Sequence, residues 1–338
     1  MSRLTPADEY FYHQIPEPLP AVLAPSEHWR ESLFFVLHPR AGDGDALVLT
    51  LAHYPVRQEM ESLQFGRIAG QTVFARHTRP YAGDPHTMAV GPMRVEILEP
   101  YRRVRLFVDP AASPIGMDIT FTARTQECVL RRGTLKAGAE TFWDQSHMLQ
   151  SGWYNGTYTH EGKTFEVRDW WGQRDHSWGV RDHHRCPMWM WLAIQLPDGM
   201  LGVWHWEYAD GRHIYTDGYW APADMSDPVQ VLNFEHDLYW IDGSGRRVDY
   251  GRDGEDVAGL EGVVSASLAD GRVLRVEGTG RWHARYGQLG GGQVNMRVRT
   301  GDGREGAAAY EVTGAHHHTF FPVPRAEGLP LAPLARPE

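Results

Sequence analysis

Asp-Gly dipeptides between alternating, strand-like runs constrain the fold of this chain more than any other sequence feature. They occur at 198–199, 210–211, 270–271 and 302–303, and Glu161-Gly162 resembles a further turn of this kind. Asp-Gly flanked by alternating apolar residues is the strongest short-range signal for a β-hairpin. Successive hairpins make an antiparallel meander, and a long meander closes into a barrel or sandwich because closure removes unpaired edges. The sequence therefore predicts an all-β protein with few helices.

The composition agrees with this prediction. The chain has 13 Trp, 14 Tyr, 12 Phe and 36 Gly, which suits strands joined by tight turns. One helix is predicted, over 26–37, because Ser26 could cap it and Glu27 and Glu31 lie early in it. No Gly-rich phosphate loop follows a buried strand, which disfavours a nucleotide-binding α/β fold.

Charge, cysteine content and hydropathy exclude several classes of protein. The 33 basic and 43 acidic residues give a net charge of −10, which argues against a nucleic-acid partner. The two cysteines form no CxxC pattern, so neither a disulfide framework nor a thiolate zinc site is predicted. The sequence shows no signal-peptide pattern and no run of about 18 apolar residues. We expect a cytoplasmic protein with no cofactor and no integral membrane segment, and we leave a homodimer open.

The hairpin around Asp198-Gly199 predicts how two strands pair. With these residues as the turn, Leu192 lies opposite His205 and Met190 lies opposite Glu207. One face of the hairpin is then aliphatic except for His205 and Glu207, while Trp204 and Trp206 lie on the other face. Both faces are apolar, so the hairpin must be covered on both sides or line a cavity.

The next hairpin, around 210–211, predicts the surroundings of Glu207. It places Ile214 opposite Glu207 and Thr216 opposite His205. A lone carboxylate among aliphatic side chains favours its protonated form, whereas a Glu–His pair shares a proton. Either state suits acid/base chemistry. The alternative is a glutamate at a strand end that reaches water or an arginine.

The densest cluster of chemically active residues is WWGQRDHSWGVRDHH, residues 170–184. Polar groups this concentrated among tryptophans are costly to bury unless they form a network. One interpretation makes Asp175 or His176 a general acid or base beside Trp178. The other gives the segment a structural role in holding the two domains together, in which Asp175 and Asp182 pair with arginines. Gly172 and Gly179 are interpreted as flexible points.

This segment resembles the Asp-His-x-Trp-Gly or Asp-His-x-Phe-Gly signature of the carotenoid 1,2-hydratase (hydroxyneurosporene synthase) superfamily. The resemblance rests on Trp171-Gly172, Arg174-Asp175-His176, Trp178-Gly179 and Arg181, with the downstream segment WHWEYADGR. It implies two lipocalin-like antiparallel β-barrel domains packed together. In the hydratase members an aspartic acid is thought to protonate an isolated olefin, and water then captures the tertiary cation. Asp175 matches the signature aspartate.

The resemblance and the strand pattern together predict the domain organisation. We expect an N-terminal arm at 1–25 and a lipocalin-like domain at 26–168. A signature linker at 169–182 leads to a second lipocalin-like domain at 183–323, and a tail covers 324–338.

The predicted function is that of a cofactor-independent enzyme acting on an apolar, isoprenoid-like olefin by protonating the alkene. Hydration, cyclisation and isomerisation stay open. Asp175 is the predicted acid/base group, with His176 and Glu207 as its partners. The alternative is a non-catalytic carrier of lipids or terpenoids. The predicted substrate-binding residues are Trp153, Tyr154, Tyr158, Trp178, Arg181, Trp204, His205 and Trp206.

Two histidine runs, 183–184 and 316–318, are candidate metal ligands. Adjacent residues of a strand point to opposite faces, so neither run provides a converging set of ligands. No metal site is predicted.

Overall fold

The computed structural model describes residues 26–81, 87–183, 185, 188–208, 211–250, 256–286 and 290–313. The predicted arm and tail, His184, Asp210 and the 316–318 run lie outside these residues. The chain divides into two compact units. Among the described residues, the first unit contains 26–39, 44–135 and 141–181, and the second contains 40–43, 136–140 and those from Asp182 onward.

The first unit is built on a sheet of twelve strands. They are β1 (Trp29–His38), β2 (Ala46–Tyr54), β3 (Glu59–Ile68), β4 (Gln71–Pro80), β5 (Ala89–Val90), β6 (Met93–Glu99), β7 (Arg103–Val108), β8 (Gly116–Ala123), β9 (Cys128–Val129), β10 (Gly133–Ala137), β11 (Glu140–His160) and β12 (Lys163–Arg181). Their order is β4-β3-β2-β1-β12-β11-β8-β7-β6-β5, with β9 and β10 also pairing with β11. This barrel is nearly closed. Across the seam between its ends, Arg79 Nε donates to the carbonyl of Ala89 and Ser62 Oγ donates to that of Val90.

The second unit is built on a sheet of nine strands. They are β13 (Met188–Leu196), β14 (Gly199–Glu207), β15 (His213–Pro222), β16 (Val229–Ile241), β17 (Arg247–Val248), β18 (Gly259–Leu268), β19 (Val273–Arg285), β20 (Gly291–Thr300) and β21 (Glu305–Thr313). Their order is β15-β14-β13-β21-β20-β19-β18-β16-β17. Pairing of β15 with β16 closes the barrel.

The predicted all-β, two-barrel fold is confirmed, since all described elements are antiparallel strands. The predicted helix over 26–37 is wrong, because this segment forms β1. Leu33, Phe35 and Leu37 alternate along β1 and belong to the core of the first unit. β1 is paired on both sides, with β2 and β12, and this long-range pairing outweighs the local capping signal at Ser26. Among the described residues, no helix has the length and apolarity needed to cross a membrane.

The signature segment is part of the first barrel. Residues 169–182, interpreted above as a linker, are strand backbone as far as Arg181, between β1 and β11. Gly172 is needed for close approach rather than for flexibility. A Cβ atom there would lie 1.9 Å from the carbonyl oxygen of Val36 and 2.9 Å from the Tyr154 ring.

Candidate functional site

The β13–β14 hairpin carries one of the predicted sites, and its register differs from the prediction. Leu196 pairs with Gly199, so the turn consists of Pro197 and Asp198, and Met190 lies opposite His205 instead of Glu207. The predicted pairing is therefore wrong by two residues. The predicted faces are correct, because side chains alternate with a period of two and an even shift preserves them.

A β-bulge changes what faces Glu207. His205 pairs with Thr216 as predicted, but the register shifts between Trp206 and Glu207, and Glu207 pairs with His213. The predicted neighbour Ile214 is the extra residue of the bulge, so that prediction is wrong. A bulge re-aims the side chains that follow it. Here it brings an imidazole beside a buried carboxylate.

Glu207 is the centre of a cluster of imidazoles on the inner face of the second barrel, called the Glu207 cluster below. Its Oε1 atom lies 3.0 Å from His205 Nε2, 2.7 Å from His236 Nε2 and 3.9 Å from His213 Nε2. His205 and Glu207 are buried, with side chains 0% and 1% exposed, whereas that of His213 is 49% exposed. Thr216 Oγ1 lies 2.7 Å from His205 Nδ1. The cluster thus has a buried side and a side that opens to solvent.

Asp175 lies on β12, on the face opposite the aliphatic core of the first barrel. Its Oδ2 atom lies 3.4 Å from His147 Nε2 on the neighbouring strand β11, and both side chains are buried. Ser177 Oγ donates to Asp175 Oδ1 at 3.5 Å. The amide of Gln145 reaches His147 Nδ1 at 3.3 Å. An aspartate and an imidazole are therefore held together, out of water, by the pairing of two long strands.

The electrostatics of this buried polar face favour a neutral imidazole. Burial lowers the pKa of His147 below its usual range, and the opposing effect of Asp175 is smaller. Burial and the nearby Arg30 guanidinium lower the pKa of Arg181 to about 9, so Arg181 remains charged at neutral pH. Gln173 lies two residues before Asp175 and is buried. No described residue hydrogen-bonds the nitrogen or the oxygen of its side-chain amide. Water or a bound polar molecule usually satisfies such groups.

His176 points away from Asp175. Its Nε2 atom lies 2.8 Å from Oε1 of Glu31, inside the first barrel, and the Trp178 ring packs edge-on against it at 5.3 Å. His53 Nδ1 lies 3.8 Å from the other oxygen of Glu31. Burial lowers the pKa of His53 to about 4. His176 is therefore the partner of Glu31, and Asp175 is paired with His147 instead.

The predicted ring residues fall into separate groups. Trp204 and Trp206 are buried on the face of β14 opposite Glu207, packed edge to face at 4.6 Å. Tyr154 and Tyr158 belong to the core of the first barrel, where Tyr154 packs against Phe121 at 5.3 Å. Burial raises the pKa of both phenols.

Two further predicted residues share the face of Asp175. Trp153 packs against Trp171 at 6.0 Å, and Arg181 Nη2 donates to the carbonyl of Arg30 at 3.1 Å. The structure therefore does not gather the predicted rings around one acid.

Sequence reasoning missed five residues of these clusters: Glu31, His53, His147, His213 and His236. Their partners lie far away in the sequence or depend on a bulge. His236 left a weak signal, because it falls between the core residues Phe234 and Leu238 on one face of β16.

The fold places this chain in a defined class, the two-unit lipocalin-like β-barrel proteins. Within it, the chain belongs to the Family of unknown function (DUF8625), whose model matches residues 4–251. No curated protein matches the sequence.

Several solved structures share the fold. A Nitrosomonas europaea protein provisionally described as AttH is 12% identical with a TM-score of 0.58, covering 86% of this chain and 94% of its own. Kievitone hydratase from Nectria haematococca is 10% identical with a TM-score of 0.52, covering 83% and 88%. CghA with Sch210972 is 11% identical with a TM-score of 0.53, covering 90% and 96%. Because these identities are low, the similarity bears on the fold alone. It confirms the two-barrel fold that the signature resemblance implied.

Proposed function

We propose that this protein is a hydratase- or cyclase-type enzyme that protonates an apolar, isoprenoid-like olefin without a cofactor. The observation that carries the proposal is the buried Asp175–His147 pair, with its Nε2–Oδ2 distance of 3.4 Å. Two of the structures that share the fold are named for kievitone hydratase and for CghA bound to Sch210972, and the first name is that of a hydratase.

The pair has the properties that alkene protonation needs. A positioned carboxyl group can give a proton to the alkene, and a neutral imidazole beside it can take a proton back. The lowered pKa of His147 keeps its ring neutral at pH 7. The Gln145 side chain has an amide nitrogen and an amide oxygen, so it can pair with either tautomer of His147.

The reaction then balances through these two residues. The Asp175 carboxyl gives its proton to one alkene carbon, which leaves a carboxylate and a tertiary cation. In hydration, water attacks the cation and His147 takes the proton of that water. In cyclisation or isomerisation, His147 takes a proton from a carbon beside the cation. His147 returns the proton to Asp175, which restores both groups.

Deuterium incorporation tests this chemistry whichever product forms. The protein is incubated in ²H₂O with farnesol, geranylgeraniol and lycopene, and products are analysed by mass spectrometry for new C–²H bonds. Asp175→Asn should reduce incorporation by roughly 100-fold or more, as for the loss of a positioned general acid, while ligand binding measured by tryptophan quenching persists. Asp169→Asn is the matched control, because Asp169 is exposed on the same strand.

The other outcomes contradict the proposal. Binding of the olefins without incorporation in the unchanged protein would identify a carrier. Equal loss of binding and turnover in Asp175→Asn, with a lower Tm, would make Asp175 a structural residue. Unchanged turnover in that variant would transfer the acid role to Glu207, to be tested by Glu207→Gln.

A further inference from the structure

We propose that the second barrel contains a site for a divalent cation of the zinc class, with His205, Glu207 and His213 as its three ligands. One nitrogen of each imidazole and one oxygen of the carboxylate lie within 4.8 Å of one another. Two imidazoles and one carboxylate are a donor set used for zinc and for non-haem iron, whereas calcium and magnesium prefer oxygen donors.

The distances between ligand atoms suit a single small cation. Two ligand atoms bound tetrahedrally at about 2.05 Å lie about 3.3 Å apart. Glu207 Oε1 is 3.0 Å from His205 Nε2 and 3.9 Å from His213 Nε2, which brackets that separation. Because the His213 side chain is half exposed, it can close the remaining gap by rotating without disturbing the core.

The neighbouring side chains orient two of the ligands. Thr216 Oγ1 lies 2.7 Å from His205 Nδ1, so it can accept a hydrogen bond from Nδ1–H, which leaves Nε2 unprotonated and available as a ligand atom. The backbone N–H of Leu238 points to His236 Nδ1 at 3.4 Å, which leaves the proton on His236 Nε2. That Nε2–H donates to Glu207 Oε1 at 2.7 Å. His236 is therefore a positioning residue that holds the carboxylate.

The fold provides the third ligand through an irregularity. Without the bulge after Trp206, Ile214 would face Glu207 and His213 would point to the other side of the sheet. β-Bulges are over-represented next to active sites, where they re-aim a side chain. The same half-exposed His213 lies on the solvent side, so an ion can enter there. Three protein ligands leave a tetrahedral ion one open position, the arrangement found in catalytic rather than structural zinc sites.

The test is metal binding by the whole chain, stripped of metal by a chelator and dialysed. We expect calorimetric titration with Zn²⁺ to show one tight site per chain, and Co²⁺ at the same site to give a visible d–d spectrum. His213→Ala, at a half-exposed position where the fold should tolerate it, should weaken Zn²⁺ binding at least about tenfold and abolish the Co²⁺ spectrum. His28→Ala, at an exposed histidine of the first unit, should change neither.

Either of two results would overturn the proposal: no stoichiometric Zn²⁺ site, or a site with the same affinity in His213→Ala. In the first case the cluster is a metal-free network in which Glu207 accepts hydrogen bonds from its imidazoles. Glu207→Gln, which replaces the carboxylate ligand by an amide, is a second variant for the same titration. If this variant fails to fold, His213→Ala alone decides the question. Asp175→Asn should leave Zn²⁺ binding unchanged, so failure of the proposed olefin chemistry and failure of the metal site are distinguishable.

Discussion

Replacing His176 with Phe tests the finding that this signature histidine is held by Glu31 instead of by Asp175. His176 Nε2 and Glu31 Oε1 are 2.8 Å apart, and both side chains are 0% exposed. Removing one partner of a buried hydrogen-bonded pair leaves the other polar group buried without that bond, which typically costs about 1–3 kcal/mol. We therefore expect His176→Phe to lower the free energy of unfolding of the first unit by an amount in that range.

His53 should not rescue the variant. Its Nδ1 atom is 3.8 Å from Glu31 Oε2, beyond hydrogen-bond distance, and burial lowers its pKa to about 4. At neutral pH the His53 ring is thus uncharged. Replacing both partners by apolar side chains leaves no buried polar group unpaired. The double variant Glu31→Leu/His176→Phe should accordingly recover most of the loss, with a coupling energy of about 2 kcal/mol or more.

Urea unfolding followed by tryptophan fluorescence at neutral pH measures both quantities, with His28→Phe as the exposed control. A cost below about 1 kcal/mol for His176→Phe would refute the reasoning, because such a cost fits a surface pair. A double variant no more stable than the single variant would also refute it.

Two further variants test burial and close packing. Burial lowers the pKa of His38 to about 4 from its usual value of 6.5, so its contribution to stability is present above pH 6.5 and is lost as the pH falls towards 4. Titration of His38 should make the free energy of unfolding about 2 kcal/mol lower at pH 5 than well above pH 6.5. In urea titrations, His38→Leu should remove that part of the pH dependence. Gly172→Ala places a Cβ atom 1.9 Å from the Val36 carbonyl oxygen and should cost at least about 2 kcal/mol in the same assay. Gly243→Ala, which has open space, should cost little. An equal loss in these two glycine variants would contradict the packing argument.

The sequence predicted what depends on short-range periodicity. Turn dipeptides and alternation identified an all-β chain, and the faces of β13 and β14 were predicted correctly although their pairing was displaced by two residues. The period of two explains this result, because it makes face assignment insensitive to an even shift. His205 and Glu207 therefore lie on one buried face, as predicted.

What the sequence did not predict depends on long-range pairing. Glu31 reaches His176 because β1 pairs with β12, and no local pattern connects strands that far apart. The partner of Asp175 was missed for another reason: His147 lies on β11, the first strand of the Glu161-Gly162 hairpin, and a register shift between Tyr154 and Gly156 changes which residues of the two strands face each other. His213 was missed because one extra residue in a bulge leaves no recognisable turn chemistry in the sequence.

The pairing of β1 with β12 also has a consequence for the nascent chain. β1 is complete at His38, but its second partner is complete only at Arg181, so the ribosome must add 143 residues in between (181 − 38). At about 5–20 residues per second this takes roughly 7–30 s. Throughout that interval one edge of β1 stays unpaired, beside an apolar face that invites association with other chains. The signature segment is thus the last piece of the first barrel to be synthesised, and a chain cut before Lys163 would keep that edge open.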